Sequence, residues 1–363
     1  MVAIGTPGRI LAYPRRIAWD VRPYREGDLP GMLRLFAEGG FAATSEAHFR
    51  WQVLSRASPA PMAWVAEQDG RILGTYCGTP LRLQLCGAQA LGVHGSHAMT
   101  EPRLRRQGIL TAVASAAQAA WAAAGFRLQI GVPWGSWGSR RQALGWRHVT
   151  DLVWVQRWLA PERALVRRLG LPRELPVPRV WDRVFDVRSV VSVVGRDPRS
   201  SPGIRVRVLA EPEAALDELW ARAAPAWRHA VVRDAEWLGW RYLQAPGAAY
   251  RLLLAEQAGR PTGYLALKIE SGQGWIADVL AASAADSRAL VRASLARFRA
   301  AGVERVRALV APRSPMHRAL VAAGFAGQRG GQFAVVPLAA DLALDEVTRA
   351  DAWLVSGGDF DVV

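Results

Sequence analysis

The sequence predicts a mixed α/β (α+β) fold made of two similar units, each with a mostly antiparallel sheet flanked by helices. Short apolar segments typical of strands alternate with segments of helical period along the chain. One pair of predicted strands is joined by Asp69-Gly70, a turn dipeptide that indicates an antiparallel hairpin. The second half then repeats the order of the first, and 363 residues are enough for two domains.

The first unit follows a tail at residues 1–18. Asp28 occupies an N-cap position before Pro30, and Gly39-Gly40 ends the helix that begins there. The predicted elements in this part are a strand at Asp20–Tyr24, the Asp28 helix, a second helix at Ser45–Leu54, and strands at Ala63–Glu67, Ile72–Gly78 and Leu81–Leu85.

Residues 91–126 predict a strand, an anion-binding turn and a helix. The turn carries Arg103, Arg105, Arg106 and Gly108, and an Ala-rich segment without charge follows it up to Gly125. Unpaired backbone N–H groups at such a turn and helix N-terminus form an arrangement that holds a phosphate. A glycine in the turn lets the phosphate approach the main chain closely.

The remaining segments divide the chain into five parts. After a strand at Arg127–Val132 come a short helix, the Leu144-Gly145-Trp146 sequence and a last strand at Val149–Trp158. Residues 161–202 contain six prolines and predict a linker between a first domain at 19–160 and a second at 203–340. Residues 341–363 hold six acids and one arginine, which predicts an acidic tail, either a solvated extension or a docking strand.

The repeat between the halves is read from matched positions. Three pairs are each 189 residues apart: Trp51 and Trp240, Glu67 and Glu256, Gly74 and Gly263. Near the end of the chain the spacing between matched positions falls to 179. Ala311-Pro312 corresponds to Val132-Pro133, and Gly324-Phe325 corresponds to Gly145-Trp146. The second unit is therefore shorter in its middle, close to the position of the phosphate turn.

The segment Arg105-Arg106-Gln107-Gly108-Ile109-Leu110 resembles the acetyl-CoA pyrophosphate loop of the GNAT superfamily of acyl-CoA N-acyltransferases. That loop reads Gln or Arg, two residues, Gly, one residue, then Gly or Ala, so Leu110 departs from the last position. The order of strands and helices over about 140 residues also resembles a GNAT domain. The chain is thereby predicted to be a tandem of two GNAT-like domains with splayed sheets.

This resemblance implies acetyl-CoA as co-substrate and direct transfer of its acyl group from a thioester to an amine. It assigns the pyrophosphate to Arg105, Arg106, Gln107, Gly108, Ile109 and Leu110. In the family, the strand before the loop is splayed from its neighbour by a bulge, and its backbone pairs with pantetheine. Loop spacing places Ala98, Met99 and Thr100 at those backbone positions.

Two residues are candidates for the chemistry. His94 stands six residues before Thr100, where family members with a strand-borne base carry Glu or His, and imidazole can take a proton from an amine near neutral pH. Period-two alternation puts His94, Ser96, Ala98 and Thr100 on one face of the strand, so His97 is the structural histidine. Arg141 stands at the position where family members usually carry the Tyr that acts as general acid. An arginine there can stabilise a thiolate electrostatically but is a poor proton donor.

The second unit reads AASAADSRAL after its strand at Trp275–Leu280, with no glycine and only Arg288. A pyrophosphate turn is not recognisable there, so one active site per chain is expected. Trp134, Trp137 and Trp146 cluster after Val132 and could wall an acceptor pocket, whereas Trp51 and Trp240 are interpreted as structural. Asp278 is a weaker candidate for contact with an acceptor amine.

Composition limits the partners. The net charge is +15, almost entirely from arginine, which attracts anions such as CoA, but no Arg-rich run with interleaved aromatics indicates nucleic-acid binding. Residues 109–126 lack charge but are too weakly apolar for a membrane span. Cys77 and Cys86 show no metal-ligand spacing, and their scarcity suits the cytoplasm. The expected partners are acyl-CoA and a small-molecule amine, with a second copy of the chain as a further candidate.

Two alternatives stay open from the sequence. The missing Tyr and the degenerate second unit also fit a non-catalytic acyl-CoA-binding or interaction protein. The features Phe49-Arg50-Trp51 and Gly239-Trp240-Arg241 resemble tandem members found near polysaccharide genes. The second alternative is therefore O-acylation, or transfer to an amino sugar, a polysaccharide precursor or another cell-surface precursor.

Overall fold

The computed structural model describes residues 18–40, 44–133, 140–161, 203–247 and 249–360, without the side chains of residues 140 and 141. The predicted N-terminal tail and the linker lie almost wholly outside these ranges. Within them, the first half forms, in chain order, β1 (Asp20–Pro23), α1 (Leu29–Glu38), α2 (Glu46–Phe49), β2 (Ala63–Gln68), β3 (Arg71–Leu85), β4 (Ala88–Thr100), α3 (Ile109–Ala123), β5 (Leu128–Gly131), α4 (Arg140–Ala143) and β6 (Arg147–Trp158).

The second half follows a similar order of strands and helices. Its elements are β7 (Ile204–Leu209), α5 (Ala214–Ala223), β8 (His229–Val231), α6 (Ala235–Leu238), β9 (Tyr250–Gln257), β10 (Arg260–Glu270), β11 (Gln273–Ala281), α7 (Ala284–Ala300), β12 (Arg305–Val310), α8 (Pro315–Ala322) and β13 (Ala326–Pro337). The C-terminal segment adds α9 (Leu344–Val347) and β14 (Trp353–Leu354).

One large open sheet carries both halves. Its strand order is β1-β2-β3-β4-β5-β13-β6-β12-β11-β10-β9-β7, with β8 and β14 attached at the side. Neighbouring strands are antiparallel except at β4–β5, β11–β12 and β8–β14. The predicted mixed fold, with a mostly antiparallel sheet flanked by helices, is confirmed. β3 is one continuous strand where the sequence predicted two short ones.

The last strands of the two halves are exchanged. β13 of the second half lies between β5 and β6, and β6 of the first half lies between β13 and β12. Each half therefore contributes a strand to the other's part of the sheet. The hydrophobic core follows this arrangement, because its largest cluster joins residues of both halves, including Trp51, Trp240 and Phe333.

Local chemistry is repeated along with topology. Arg22 pairs with Asp28 at 2.7 Å and with Glu67 at 3.0 Å, and Arg207 repeats this with Glu213 and Glu256. A π-helical turn also recurs, at Arg50–Leu54 and at Gly239–Leu243. Each such turn carries one tryptophan of the pair Trp51 and Trp240.

The uncharged segment after the phosphate turn becomes α3, which packs against β2 and β3 through Val113, Ala117 and Trp121. These residues recur on one side of the helix and are buried, which explains why the segment needs no charge. None of the helices in the described ranges has the length and apolar character needed to cross a membrane.

Candidate functional site

A β-bulge interrupts β4 just before the predicted phosphate turn. Thr75 of β3 is opposite Met99, but Cys77, two residues further along β3, is opposite Ser96, three residues back along β4. The extra residue lies at His97, whose φ of 48° is in the left-handed region. A bulge of this kind bends its strand and increases the local twist.

The bulge changes which residues of β4 share a face. Cross-strand register places His94, Ser96 and Met99 on one side, opposite Thr79, Cys77 and Thr75. The uniform alternation predicted through Ala98 and Thr100 is therefore wrong beyond Ser96, because an inserted residue reverses the pattern. The alternation would have been correct for a regular strand.

His97 has surroundings typical of a structural residue. Its ring lies 5.0 Å from the ring of Phe36 and 5.6 Å from that of Phe49, measured between centroids. Its Nδ1 is 3.1 Å from Ser96 Oγ. These contacts hold the bulge against α1 and α2.

β4 and β5 separate at His94. Their parallel pairing joins Gly92–His94 to Leu128–Ile130, whereas β4 continues to Thr100. The main-chain groups of Ala98, Met99 and Thr100 thus lie beyond the paired stretch, on the part of the strand that diverges from β5. The hydroxyl of Thr100 is also buried there without a hydrogen-bond partner among the described residues.

The turn after β4 exposes its main chain at the start of α3. Arg105, Arg106, Gln107 and Gly108 are all exposed, and both Arg106 (φ 71°) and Gly108 (φ 91°) are left-handed. No side chain caps the first turn of α3, so its leading N–H groups face outward at the positive end of the helix dipole. A Cβ at Gly108 would meet no atom within 4 Å, which leaves space for an anion.

The equivalent helix of the second half is capped by its own side chains. Ser283 Oγ accepts from the Asp286 N–H, and the Asp286 carboxylate accepts from the Thr262 hydroxyl at 2.6 Å. Asp286 is buried in the first turn of α7. A carboxylate therefore occupies the anion-attracting end of this helix, which opposes binding of a pyrophosphate there.

The C-terminal segment occupies the gap where β11 and β12 diverge. Those strands pair only from Gln273–Trp275 to Arg305–Arg307. Farther on, Ser356 bridges Val310 of β12, and a Cβ placed on Gly358 would lie 3.2 Å from the Ala277 carbonyl oxygen of β11. Residues 352–360 are buried, so the alternative of a solvated extension is wrong for them and the docking alternative is correct.

Arg233 anchors this segment from within the core. The Arg233 side chain is fully buried. Its guanidinium donates to both oxygens of Asp359, at 2.8 and 2.9 Å, and to Asp278 at 3.0 Å. Tyr264 donates to Asp278 at 2.5 Å. Asp278 thus belongs to the structural network around Arg233, which accounts for its carboxylate better than contact with an acceptor amine.

A cavity of about 340 Å³ lies between the halves, and His94 is among the residues that line it. The His94 side chain is 5% exposed, and its ring centroid is 5.7 Å from that of Phe360 in the C-terminal segment. Trp51, Trp237 and Trp240 form part of the wall. The cavity therefore meets the sheet where β4 and β5 separate.

Two buried polar atoms among the lining residues of the cavity have no hydrogen-bond partner in the described part of the chain. They are Gln52 Oε1 and Thr79 Oγ1, and the two residues are 5% and 3% exposed, respectively. Buried polar atoms normally have partners, but both oxygens are inaccessible to water, so the wall must shift before a group in the cavity reaches them. A carbonyl oxygen such as Gln52 Oε1 requires a donor, which an amine supplies.

The charges around the cavity are balanced. Arg241 and Lys268 contribute cations, and Glu270 and Asp359 contribute carboxyl groups. Burial raises the pKa of Asp359 to about 6, although Arg233 opposes that shift. The lining thus has no excess of acid that would select a polycation.

One of the three tryptophans predicted to wall an acceptor pocket lies away from the cavity. Trp146 is packed in the first-half core, where its ring covers Gly131, and it does not line the cavity. Trp51 and Trp240, interpreted as structural from the sequence, line it instead. Trp134 and Trp137, and the side chain of Arg141, lie outside the described residues, so the predicted role of Arg141 stays a prediction.

Comparison with known proteins agrees with this geometry. Residues 20–149 match the family model of the acetyltransferase (GNAT) domain. No protein of curated function matches the sequence. The first half of the chain is thus similar to a GNAT acetyltransferase domain over these residues, which contain the bulge, the splayed strands and the arginine-rich turn.

Solved structures resemble the chain beyond that domain. A probable N-acyltransferase from Enterococcus faecalis is 12% identical, with a TM-score of 0.61, covering 89% of this chain and 73% of that one. A GCN5-related N-acetyltransferase from Anabaena variabilis is 10% identical, with a TM-score of 0.63 and the same coverages, 89% and 73%. One from Kribbella flavida is 15% identical, with a TM-score of 0.59, covering 88% and 72%. At these identities the likeness establishes the fold.

Proposed function

We propose that the chain is a cytoplasmic N-acetyltransferase that transfers the acetyl group of acetyl-CoA to an amine of a small molecule. The observation that carries the proposal is the bulged strand β4, which leaves β5 at His94 and runs into a left-handed turn at an uncapped helix N-terminus. The tandem reading, with GNAT-like domains at 19–160 and 203–340 joined by the linker 161–202, forms part of the proposal.

The diverging strand and the turn would hold acetyl-CoA along its length. We infer that main-chain groups of Ala98, Met99 and Thr100 pair with the pantetheine arm and that N–H groups of the segment Arg105–Leu110 hold the pyrophosphate. When bound, the co-substrate supplies the thioester. Exposed Arg105 and Arg106 add positive charge for the phosphates.

His94 is the proposed base. It lies at the boundary between the diverging strand and the cavity, so an amine in the cavity and a thioester in the splay would meet beside its ring. An unprotonated imidazole can remove the proton that the amine loses as it attacks the carbonyl carbon. We assign Arg141 to electrostatic stabilisation of the departing thiolate, since guanidinium keeps its proton.

We propose one active site per chain. The helix end of the second half is occupied by the Asp286 carboxylate, and its strand gap by the Ser356–Gly358 segment. In the second half, the helix N-terminus and the strand gap that would bind acyl-CoA are therefore both occupied by residues of the chain itself.

The cavity favours an amine on an aromatic or other flat apolar body. Indole walls offer stacking, and the buried oxygens of Gln52 and Thr79 would accept from the amine after a small movement of the wall. Because cations and carboxyl groups are balanced, we expect aromatic monoamines to be preferred over polycationic amines.

The test compares two glycines at opposite ends of α3. Gly108 and Gly125 are both left-handed, at φ 91° and 87°, and a Cβ at either meets nothing within 4 Å. Gly108→Trp and Gly125→Trp therefore impose similar backbone strain. Calorimetric titration with acetyl-CoA should show binding to the wild type and Gly125→Trp, and its loss in Gly108→Trp.

Thiol release across a panel of amines then separates an enzyme from a binding protein. The panel should contain aromatic monoamines, amino sugars and polyamines. Equal acetyl-CoA binding by the two glycine variants would overturn the co-substrate site. Binding to the wild type without thiol release from any amine would favour the acyl-CoA-binding alternative, and release only from amino sugars would favour the sugar-acceptor alternative.

A further inference from the structure

Three metal-ligating side chains from distant parts of the sequence converge away from the acetyltransferase site. A thiol sulfur of Cys86, a ring nitrogen of His229 and a carboxylate oxygen of Glu346 all lie within 4.8 Å of one another. Cys86 is in the β3–β4 turn, His229 begins β8, and Glu346 is in α9. The cluster thus joins both halves and the C-terminal segment.

His229 has the tautomer that a metal ligand needs. The Cys86 backbone N–H donates to Nδ1 at 3.3 Å, and Nε2 lies 3.1 Å from the Glu346 carbonyl oxygen. An amide can only donate and a carbonyl can only accept, so Nε2 carries the proton and the Nδ1 lone pair accepts from Cys86. A metal on Nδ1 would therefore replace this 3.3 Å hydrogen bond. A ring N–H bonded to a backbone carbonyl is also the usual outer contact of a metal-bound histidine.

The imidazole is held rigidly. His229 is 0% exposed, and its ring centroid is 5.0 Å from that of Trp353. A buried and oriented imidazole needs little reorganisation to bind a cation.

Cys86 occupies an unusual position for its residue type. Its φ of 51°, followed by 84° at Gly87, makes a two-residue turn in which both residues are left-handed. Non-glycine residues adopt that region rarely, and Asn, Asp or Gly normally fill it. The turn holds the exposed thiol beside the His229 ring.

We propose that Cys86, His229 and Glu346 bind a thiophilic divalent cation, with zinc the best match. Thiolate, imidazole and carboxylate are the three zinc ligand types, and the combination of sulfur and nitrogen disfavours magnesium or calcium. Tetrahedral zinc places its ligand atoms about 3.5 Å apart, so the exposed Cys86 and the half-exposed Glu346 close around it by side-chain rotation. Water completes the coordination.

Neighbouring charges are compatible with this site. Arg228 Nε donates to Glu346 Oε2 at 2.9 Å, and Arg349 lies 4.0 Å from Oε1. Zinc with one thiolate and one carboxylate is neutral overall, so the two arginines face no net cation. They nevertheless compete for the carboxylate, which predicts moderate rather than very tight affinity.

The test titrates untagged, chelator-stripped full-length protein with Zn²⁺ against a chromophoric zinc indicator. We expect one zinc per chain. Cys86→Ser and Glu346→Gln should each weaken binding by about 10-fold or more, since even outer partners of a metal site are worth that much. Mg²⁺ at the same concentration should not compete.

Matched controls separate the cluster from adventitious binding. Asp345→Asn removes the exposed neighbouring carboxylate in α9, and Cys77→Ser removes the other cysteine; both should keep wild-type zinc affinity. Co²⁺ in place of Zn²⁺ should give a thiolate-to-metal absorption band that disappears only in Cys86→Ser. Equal affinities of wild type and Cys86→Ser, or no zinc bound by the wild type, would overturn the proposal.

Discussion

The indole rings of Trp51 and Trp240 stack on each other, with centroids 4.7 Å apart and planes inclined by 21°. These residues occupy the same position in the two halves, 189 residues apart in the chain. Trp51 Nε1 donates to the Trp240 carbonyl at 3.1 Å, and Trp240 Nε1 donates to Ser55 Oγ at 3.0 Å. Corresponding residues of the two halves therefore meet at the interface and in the cavity wall.

We expect this stacked pair to couple the stability of the halves. Trp51→Ala and Trp240→Ala should each lower the free energy of unfolding by about 3–5 kcal/mol, because each removes a buried indole. The double variant should lose about 1 kcal/mol less than the sum, since the aromatic contact is lost once. Urea unfolding of the four proteins measures this cycle.

A second aromatic pair, which also joins the two halves but lies away from the cavity, provides a comparison. Trp154 and Trp275 also meet across the sheet, at 5.9 Å, but do not line the cavity. Strictly additive losses for Trp51 and Trp240 would show that their stacking contributes no coupling.

Acetyl-CoA should bind with a stoichiometry of one per chain. Of the two corresponding helices, α3 begins with an exposed turn that no side chain caps, whereas α7 is capped by Ser283 and Asp286. Asp286→Ala should leave the stoichiometry at one, because residues Ser356–Gly358 still fill the second gap. Calorimetry on both proteins checks this, and two equivalent sites in the wild type would contradict it.

Replacing His94 should affect turnover more than acetyl-CoA binding. His94→Gln keeps a polar side chain but removes the basic nitrogen, so we expect kcat to fall by about 100-fold or more. His48→Gln is the control, since His48 lines the same cavity away from the strand gap. Thiol-release kinetics and calorimetry would separate the two effects; similar kcat values for the two variants would exclude His94 as the base.

Stability should depend on pH through Asp359. Its pKa is raised to about 6 from 3.8 by burial, so the folded state holds this proton more tightly than the unfolded chain. Its contribution to stability is therefore most favourable below about pH 4 and is lost as pH rises through about 6. Relative to Asp359→Asn, the wild type should lose up to about 3 kcal/mol over that range.

Urea unfolding at several pH values between 4 and 7 measures this difference. Asp351→Asn is the matched control, because its carboxylate is in the same segment but 78% exposed. A pH-independent difference between the wild type and Asp359→Asn would contradict the assignment of this proton to Asp359.

Local signals in the sequence determined most elements and the class of fold. Turn glycines, N-cap residues and apolar periodicity act within a few residues, so the hairpin at Asp69-Gly70 and the ends of α3 could be recognised directly. The arginine-rich turn was recognisable for the same reason. Repetition at a spacing of 189 predicted two similar halves.

Only the tertiary structure decided how those halves meet. The exchange of β6 and β13, the bulge at His97 and the burial of the C-terminal segment depend on contacts between residues far apart in sequence. The cavity wall of Trp51 and Trp240, and the convergence of Cys86, His229 and Glu346, arise in the same way. Local composition carries no record of such contacts, because their free energy comes from surfaces that adjoin only after the chain has folded.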